Sequence, residues 1–125
     1  MAEQTLRDCH ILVVEDEYML ANELRIELGD AGAIVLGPVG TLEGALTMIE
    51  AEPHIDGAVV DVNLCGDLAY PAADLLAQRQ VPFVFTTGYD QGMIPPRFKH
   101  IPRCEKPVDM VKVARAIGRA IHQAN

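Results

Sequence analysis

The chain has few basic residues for its size. Ten lysines and arginines face 18 acidic residues, which gives a formal net charge of −8. A field of that sign repels the phosphates of nucleic acids and of anionic lipids, so we expect neither nucleic-acid binding nor membrane attachment. No apolar run approaches the roughly 20 residues of a membrane span, and residues 1–8 are polar, without the pattern of a secretory leader. The sequence predicts a cytoplasmic protein.

Three other kinds of site lack their usual sequence signatures. Cys9, Cys65 and Cys104 do not have the short paired spacings of zinc or redox motifs, so we expect free thiols without a functional role. The four histidines are scattered without helical pairing, and none is predicted to bind a metal. Residues 37–40, Gly-Pro-Val-Gly, lack the spacing and the lysine of a phosphate-binding loop, which argues against nucleotide binding.

The residues that are present predict one α/β domain over residues 1–125. Half of the chain is hydrophobic and 22% is charged, which is typical of a folded globular domain. Five short apolar stretches have the composition of buried strands, at residues 9–14, 33–37, 57–61, 82–87 and 102–105. Segments with helical spacing of apolar residues separate them. This (βα)5 alternation predicts a flavodoxin-like fold, a doubly wound parallel sheet of five strands in the order 2-1-3-4-5.

Local signals mark the starts of three of the helices. Thr41 is placed to cap the second helix, Pro71 fits the first turn of the third, and Asp109 can cap the last. The fourth helix has the weakest signal, because a glycine and two prolines lie between residues 90 and 100. Proline removes backbone donors and restricts backbone angles, so we expect any helix there to be short or mobile.

Polar side chains stand where four of the predicted strands end. They are Glu15 and Asp16 after the first strand, Asp61 at the third, Thr87 at the fourth and Lys106 after the fifth. In the predicted order the first and third strands are neighbours at the topological switch point. The carboxyl ends of parallel strands meet at one edge of the sheet, and ligands bind at that point. We therefore expect these side chains to form one site.

Asp61 is the predicted nucleophile of this site. A carboxylate attacks phosphorus weakly, and phosphoryl transfer depends mostly on positioning and on neutralisation of charge. Lys106 would offer a point charge to one phosphoryl oxygen, and Thr87 would donate a hydroxyl hydrogen bond to another. The expected product is an aspartyl phosphate, and movement of the Thr87 hydroxyl would pass the event to the loop that follows.

The acidic residues also predict a site for Mg²⁺, or for Mn²⁺ in its place. A hard cation of this kind takes oxygen ligands in octahedral array and keeps several waters, so a few protein oxygens suffice. Asp16 and Asp61 are the predicted direct ligands. Glu15 is one methylene longer and would act through a bound water, and the backbone carbonyl of Asn63 would provide a further oxygen.

These residues together resemble the receiver domain of two-component response regulators. The match extends over essentially the whole chain and rests on Glu15-Asp16, Asp61, Thr87-Gly88 and Lys106-Pro107. The resemblance implies that a sensor histidine kinase or a histidine phosphotransfer protein donates the phosphoryl group, with Mg²⁺ required and output through protein contacts. It also implies a monomer or weak dimer that is not an enzyme, since it catalyses only its own phosphorylation and dephosphorylation.

One further match and one departure concern the signal relay. Residues 82–89, Pro-Phe-Val-Phe-Thr-Thr-Gly-Tyr, resemble a subgroup of single-domain receivers with a Phe-Ala-Thr-Gly-Tyr-like motif, whose partners are unorthodox histidine kinases. The resemblance places Asn63 and Tyr89 beside the attacking water, where they would tune the lifetime of the phosphate. The family usually has an aromatic residue three positions before the lysine, but Arg103 stands there, so the usual aromatic switch is absent and Arg103 becomes a modulatory candidate.

Two alternatives compete with a phosphorylated receiver. The first is a pseudo-receiver that binds a partner without phosphorylation, although such a module has no physical need for Asp16, Asp61, Thr87 and Lys106 together. The second is a small phosphohydrolase with an aspartyl nucleophile. That chemistry needs a second acid two residues after the nucleophile, and Asn63 at that position cannot donate a proton as a carboxylic acid does.

Overall fold

A computed structural model describes residues 5–88 and 94–123 of the protein. The strands are β1 (His10–Val14), β2 (Ile34–Val39), β3 (Gly57–Asp61), β4 (Asn63–Leu64), β5 (Asp67–Leu68), β6 (Phe83–Thr87) and β7 (Arg103–Glu105). The helices are α1 (Tyr18–Asp30), α2 (Leu42–Ala51), α3 (Tyr70–Gln78) and α4 (Met110–Gln123), with a short 3-10 helix at Pro96–Phe98. None of the described helices is long and apolar enough to cross a membrane.

The main sheet confirms the predicted fold and strand order. Its five strands run in the order β2-β1-β3-β6-β7, and each neighbouring pair is parallel. This is the order 2-1-3-4-5 once the two-residue strands β4 and β5, which form a separate hairpin, are set aside. The central strand β3 therefore lies between β1 and β6, and the side chains at the ends of all three strands share one edge.

Alternate residues of the strands pack into two cores on opposite faces of the sheet. Leu12, Val60 and Phe85 belong to the core beneath α2 and α3. Val13 and Val59 belong to the core beneath α1 and α4. Because both faces are covered, the strands are apolar at nearly every position rather than at every second one, which explains the continuous hydrophobic runs in the sequence.

The predicted helix starts are confirmed, and residues 94–100 of the fourth helical segment form no α-helix. The Thr41 hydroxyl accepts a hydrogen bond from the Gly44 amide at 3.0 Å, and the Asp109 carboxylate accepts one from the Val111 amide at 3.0 Å. Pro71 lies in the first turn of α3. Between residues 94 and 100 the chain forms only the 3-10 helix, because Pro95 and Pro96 cannot donate to a longer α-helical ladder. Residues 89–93 lie outside the described ranges.

Two features of the backbone differ from the sequence-based expectation. Strand β2 continues past its predicted end at residue 37, since Gly37 at φ +88° allows a register shift against β1. The hairpin of β4 and β5 was not predicted. Its turn residues, Cys65 at φ 53° and Gly66 at φ 95°, have the positive φ values of a two-residue hairpin turn, but a cysteine at the first position gives no usual sequence signal for one.

The cap at Thr41 gives a test of helix α2. We expect Thr41→Ala to lower the free energy of unfolding by about 1 kcal/mol, because the Gly44 amide loses its acceptor. Thr41→Ser is the matched control, since it keeps the accepting oxygen and should stay within about 0.5 kcal/mol of the wild type. Urea unfolding measures both. Equal stabilities for the alanine and serine variants would contradict the cap.

Candidate functional site

The acidic residues predicted from the strand ends lie together at the carboxyl edge of the sheet. Glu15 follows β1 and Asp61 ends β3, and these two side chains are almost fully buried, with 3% and 2% of each residue exposed. Asp16 lies beside them and is half-buried. One carboxylate oxygen from each of the three residues falls within 4.8 Å of the other two. The structure therefore brings together Glu15, Asp16 and Asp61 as predicted.

Lys106 directly follows β7, the outermost strand on one side of the sheet, and its side chain extends to this acidic cluster. Its ammonium donates a 2.9 Å hydrogen bond to Oδ2 of Asp61 and a 3.2 Å bond to Oε1 of Glu17, and lies 3.7 Å from Oε2 of Glu15. Partial burial disfavours the charged ammonium, but the ion pairs with these carboxylates outweigh it and raise the pKa of Lys106. The lysine therefore stays protonated, and it pairs with three carboxylates of the described residues.

Glu15 is the acid of the site whose ionised form is most disfavoured. Burial raises the pKa of Glu15 to about 9, and hydrogen bonding and repulsion from Asp61 act in the same direction. Oε2 of Glu15 accepts a 3.1 Å hydrogen bond from the Glu17 amide, whereas its buried Oε1 meets no donor within residues 5–88 and 94–123. Without additional positive charge, this carboxyl group favours its protonated form.

Asp16 is held by the hairpin that follows β3. Its Oδ2 accepts a hydrogen bond from the Cys65 amide at 3.1 Å and another from the Cys65 thiol at 3.0 Å. Partial burial works against ionisation, but these and other hydrogen bonds lower the pKa of Asp16. Asp16 therefore remains a carboxylate next to a neighbour, Glu15, that tends to be neutral.

The residues present fit a divalent cation. Mg²⁺ binds oxygens at about 2.0–2.1 Å in an octahedron, so its ligands lie within roughly 4.2 Å of one another. One carboxylate oxygen from each of Glu15, Asp16 and Asp61 lies within 4.8 Å of the other two, which is close to that separation. Two observations indicate a missing positive charge: the buried Glu15 Oε1 has no donor in the described part of the chain, and a single lysine pairs with three acids.

Thr87 lies at the end of β6, as predicted, with its side chain fully buried. Its backbone carbonyl accepts a 2.7 Å hydrogen bond from the Lys106 amide, which ties it to the lysine. Its hydroxyl has no partner among the described residues, and the same is true of Thr86. The ladder pairs Thr86, rather than Thr87, with Asp61. Burial alone does not distinguish the two hydroxyls.

The three modulatory candidates have different outcomes. Asn63 is close to the nucleophile, since its amide donates a 3.1 Å hydrogen bond to Oδ1 of Asp61, while its own Oδ1 accepts one of 2.7 Å from the Gly66 amide. Arg103 is exposed on β7, where it stands opposite Phe85 in the ladder. Tyr89 lies outside the described residues.

Two contacts in the site were missed by the sequence analysis. Glu17 binds Lys106, and Cys65 binds Asp16 with both its amide and its thiol. Glu17 could have been included, because it continues the acidic run after β1. Cys65 could not, because its position depends on a hairpin whose turn has no usual sequence signal.

Comparisons with known proteins identify the family. No family model and no curated protein matches the sequence. Among solved structures, SdrG from Sphingomonas melonis Fr1 is 39% identical, with a TM-score of 0.79 over 92% of this chain and 97% of SdrG. The signal receiver domain of a modulated diguanylate cyclase from Desulfovibrio desulfuricans G20 is 31% identical, with a TM-score of 0.76 over 94% of this chain and 96% of that domain. The chain belongs to the receiver-domain family of response regulators.

A further receiver supports the fold of this domain. The response regulator receiver protein from Sinorhizobium medicae WSM419 has a TM-score of 0.81 over 96% of this chain and 99% of its own, at 23% identity. The resemblance that the strand ends indicated is therefore confirmed at the level of the family. The similarity to the Phe-Ala-Thr-Gly-Tyr-like subgroup stays a prediction.

The buried Glu15 gives the receiver a testable pH dependence. The unfolded chain ionises this group near its ordinary pKa of 4.5, whereas the folded protein does so near 9. Between these values the folded state holds the extra proton, so its stability falls as pH rises. We expect Glu15→Gln to stabilise the metal-free protein by roughly 1–3 kcal/mol near pH 8, and by much less near pH 5.

Urea unfolding in the presence of a chelator measures this difference at both pH values. Glu50→Gln is the matched control, because Glu50 is exposed on α2. Its effect should be small and should not change with pH. A stability gain at Glu15→Gln that is equal at both pH values would contradict a raised pKa at this position.

Proposed function

We propose that this receiver accepts a phosphoryl group on Asp61 and signals through protein contacts. The observation that carries the proposal is the 2.9 Å ion pair between Asp61 and Lys106 inside the buried acidic cluster. A purely structural ion pair does not require the two further acidic residues Glu15 and Asp16, and burial of Glu15 beside Asp61 disfavours its ionised form. A site that receives a cation and a phosphoryl group gives all four residues a role.

The contacts of Asp61 indicate how the transfer would proceed. Oδ2 is held by the Lys106 ammonium and Oδ1 by the Asn63 amide, so the carboxylate has a fixed orientation before the donor arrives. An Asp61 oxygen forms a bond to phosphorus as the bond from phosphorus to the donor histidine breaks, and the departing imidazole takes up a proton. Lys106 then offers its charge to a phosphoryl oxygen. A bound Mg²⁺ or Mn²⁺ would supply the remaining positive charge, held by Asp16, Asp61, Glu15 and the Asn63 carbonyl.

The donor is proposed to be a sensor histidine kinase or a histidine phosphotransfer protein. Exposed apolar side chains beside the site offer a surface for such a partner, with Tyr18 and Met19 at the start of α1 exposed by 82% and 75%. A BeF3-activated conformation is known for SdrG, at 38% identity to this chain. Beryllofluoride mimics a phosphoryl group, so activation of a similar receiver by this ligand supports phosphorylation here.

The proposed role is that of a signalling module and not of an enzyme acting on other substrates. The phosphohydrolase alternative requires an acid at position 63, and the Asn63 side chain there accepts a hydrogen bond from the Gly66 amide. We propose that Asn63 and Tyr89 tune the lifetime of the phosphate. Arg103, on the exposed side of β7, would modulate the response in place of the aromatic residue usual in the family.

Phosphorylation of Asp61 is tested directly with a small phosphodonor. We expect incubation with acetyl phosphate and Mg²⁺ to add the mass of one phosphoryl group to the intact protein, and a chelator to prevent the addition. Asp61→Asn should abolish the adduct, because an amide does not attack phosphorus as a carboxylate does.

Asp67→Asn is the matched control for the acceptor, since Asp67 is an exposed carboxylate on the neighbouring hairpin. This variant should keep the adduct. An adduct of equal size on Asp61→Asn would assign the phosphoryl group to another residue, and no adduct on the wild type with either a small phosphodonor or a phosphorylated histidine protein would favour the pseudo-receiver.

The two buried threonines of β6 provide a matched pair for the switch. Both are fully buried with no partner for the hydroxyl in the described ranges, and Thr→Val keeps their shape. We expect Thr87→Val to reduce the chemical-shift response to beryllofluoride at residues beyond the site by more than half, because the hydroxyl that moves to the phosphoryl group is lost.

Thr86→Val should leave that response close to the wild type. Two-dimensional amide spectra with and without beryllofluoride measure both variants, and binding of the ligand is read separately from signals next to Asp61. The opposite result, a lost response in Thr86→Val and a normal one in Thr87→Val, would transfer the switch to the residue that the ladder pairs with Asp61.

A further inference from the structure

A second cluster of potential ligands lies at the opposite edge of the sheet from the phosphorylation site. His10 begins β1, Asp56 immediately precedes β3, and His54 lies two residues before Asp56. Five residues of extended chain separate Asp56 from Asp61, a distance of about 16 Å. The cluster has no role in phosphoryl transfer, and the scattered positions of the histidines gave no indication of it in the sequence.

The three side chains point their ligand atoms at a common centre. Nε2 of His54 lies 3.0 Å from Oδ1 of Asp56, and Nδ1 of His10 lies 3.6 Å from Oδ2 of Asp56. One atom from each residue falls within 4.8 Å of the other two. Ligands of a tetrahedral Zn²⁺, bound at about 2.0–2.1 Å, lie about 3.3 Å apart, so small side-chain rotations would complete the geometry.

The cluster is held in place before any ligand binds. The His10 amide donates a 2.7 Å hydrogen bond to Oδ2 of Asp56, and the Asp56 amide donates one of 2.8 Å to the His10 carbonyl. The rings of His10 and His54 stack with centroids 4.6 Å apart. These contacts fix His10 at the start of β1 and Asp56 just before β3, so little ordering would be needed on binding.

One nitrogen in this arrangement has no partner of its own. Nδ1 of His10 is buried and makes no hydrogen bond to any residue within 5–88 and 94–123. The hydrogen bonds that join the starts of the two strands need only the backbone of His10 and the backbone and carboxylate of Asp56. They do not explain why two imidazoles lie against that carboxylate. Arg79 lines the adjacent hollow, but its guanidinium is committed to the carbonyls of Ile49 and Pro53.

We propose that His10 Nδ1, His54 Nε2 and the Asp56 carboxylate form a binding site for Zn²⁺ or a similar first-row transition-metal dication. Imidazole and carboxylate are the ligand types that such ions take, and three protein ligands leave one position for water or for a side chain of another molecule. The cluster of Glu15, Asp16 and Asp61 offers carboxylate oxygens and suits Mg²⁺. The receiver would therefore carry two cation sites of different chemistry at opposite edges of one sheet.

Zn²⁺ titration by calorimetry tests the site, with the acidic cluster disabled so that it does not compete. In an Asp16→Asn/Asp61→Asn background we expect one Zn²⁺ per chain. Adding His54→Ala or Asp56→Asn should weaken the affinity at least about tenfold, because each removes a ligand. His100→Ala is the matched control, since His100 is exposed and outside the cluster, and it should leave the affinity unchanged.

Nitrogen spectra of the histidine rings test the same site in the unmodified chain. Zn²⁺ in the presence of excess Mg²⁺ should shift Nδ1 of His10 and Nε2 of His54, with the proton of each ring on its other nitrogen, and should leave His100 and His122 unchanged. The proposal is overturned if no Zn²⁺ binds in the double-variant background, or if His100→Ala weakens binding as much as His54→Ala. Phosphorylation of Asp61 does not enter either readout, so the two proposals fail separately.

Discussion

Three carboxylates share a single ammonium at the switch point of the sheet, and the arrangement of the site depends on this imbalance. Lys106 follows β7 but pairs with Asp61 at the end of β3, so the ion pair crosses the end of β6, the strand between them. This contact fixes the distance between two strands that do not touch. Burial and the neighbouring Asp61 raise the pKa of Glu15, although the ammonium lies 3.7 Å from its carboxylate.

The fold explains why the charges gather there. Both faces of the sheet are covered by helices, so polar side chains can leave the core only at the strand ends. The strand order puts the ends of β1, β3 and β6 side by side. The hairpin of β4 and β5 then closes over Asp16 through Cys65. Packing on the two faces thus fixes the carboxyl ends of the strands, and the acidic residues of the site lie at those ends.

Much of this could be predicted from the sequence because it follows from simple periodicities. Apolar runs locate the strands, their alternation with helices gives the parallel order, and that order brings Asp61 to Asp16 and Lys106. The contacts that were not predicted depend on backbone detail or on side-chain direction. Cys65 reaches Asp16 only because two positive φ values form a hairpin turn that a cysteine does not signal in the sequence. His10 meets His54 and Asp56 through the register of two strands, and a one-residue change in that register would separate them.

The opposite edges of the sheet therefore differ in chemistry while sharing the same strands. One edge collects carboxylates, a lysine and buried hydroxyls, and the other collects two imidazoles around one carboxylate. Strand β3 joins Asp56 to Asp61 without an interruption. No described side chain belongs to both clusters. A substitution in one cluster should therefore leave ligand binding at the other cluster unchanged.

We expect that Asp61, among the clustered acids, forms the acyl phosphate. Borohydride reduces an aspartyl phosphate to homoserine, and peptide sequencing by mass spectrometry then reads the position of the reduced residue. After treatment of the receiver with acetyl phosphate and Mg²⁺, we expect homoserine at position 61 and unmodified carboxylates at Glu15 and Asp16. Homoserine at position 16, the alcohol from reduced glutamate at position 15, or a phosphorylated chain without reduction at position 61 would contradict it.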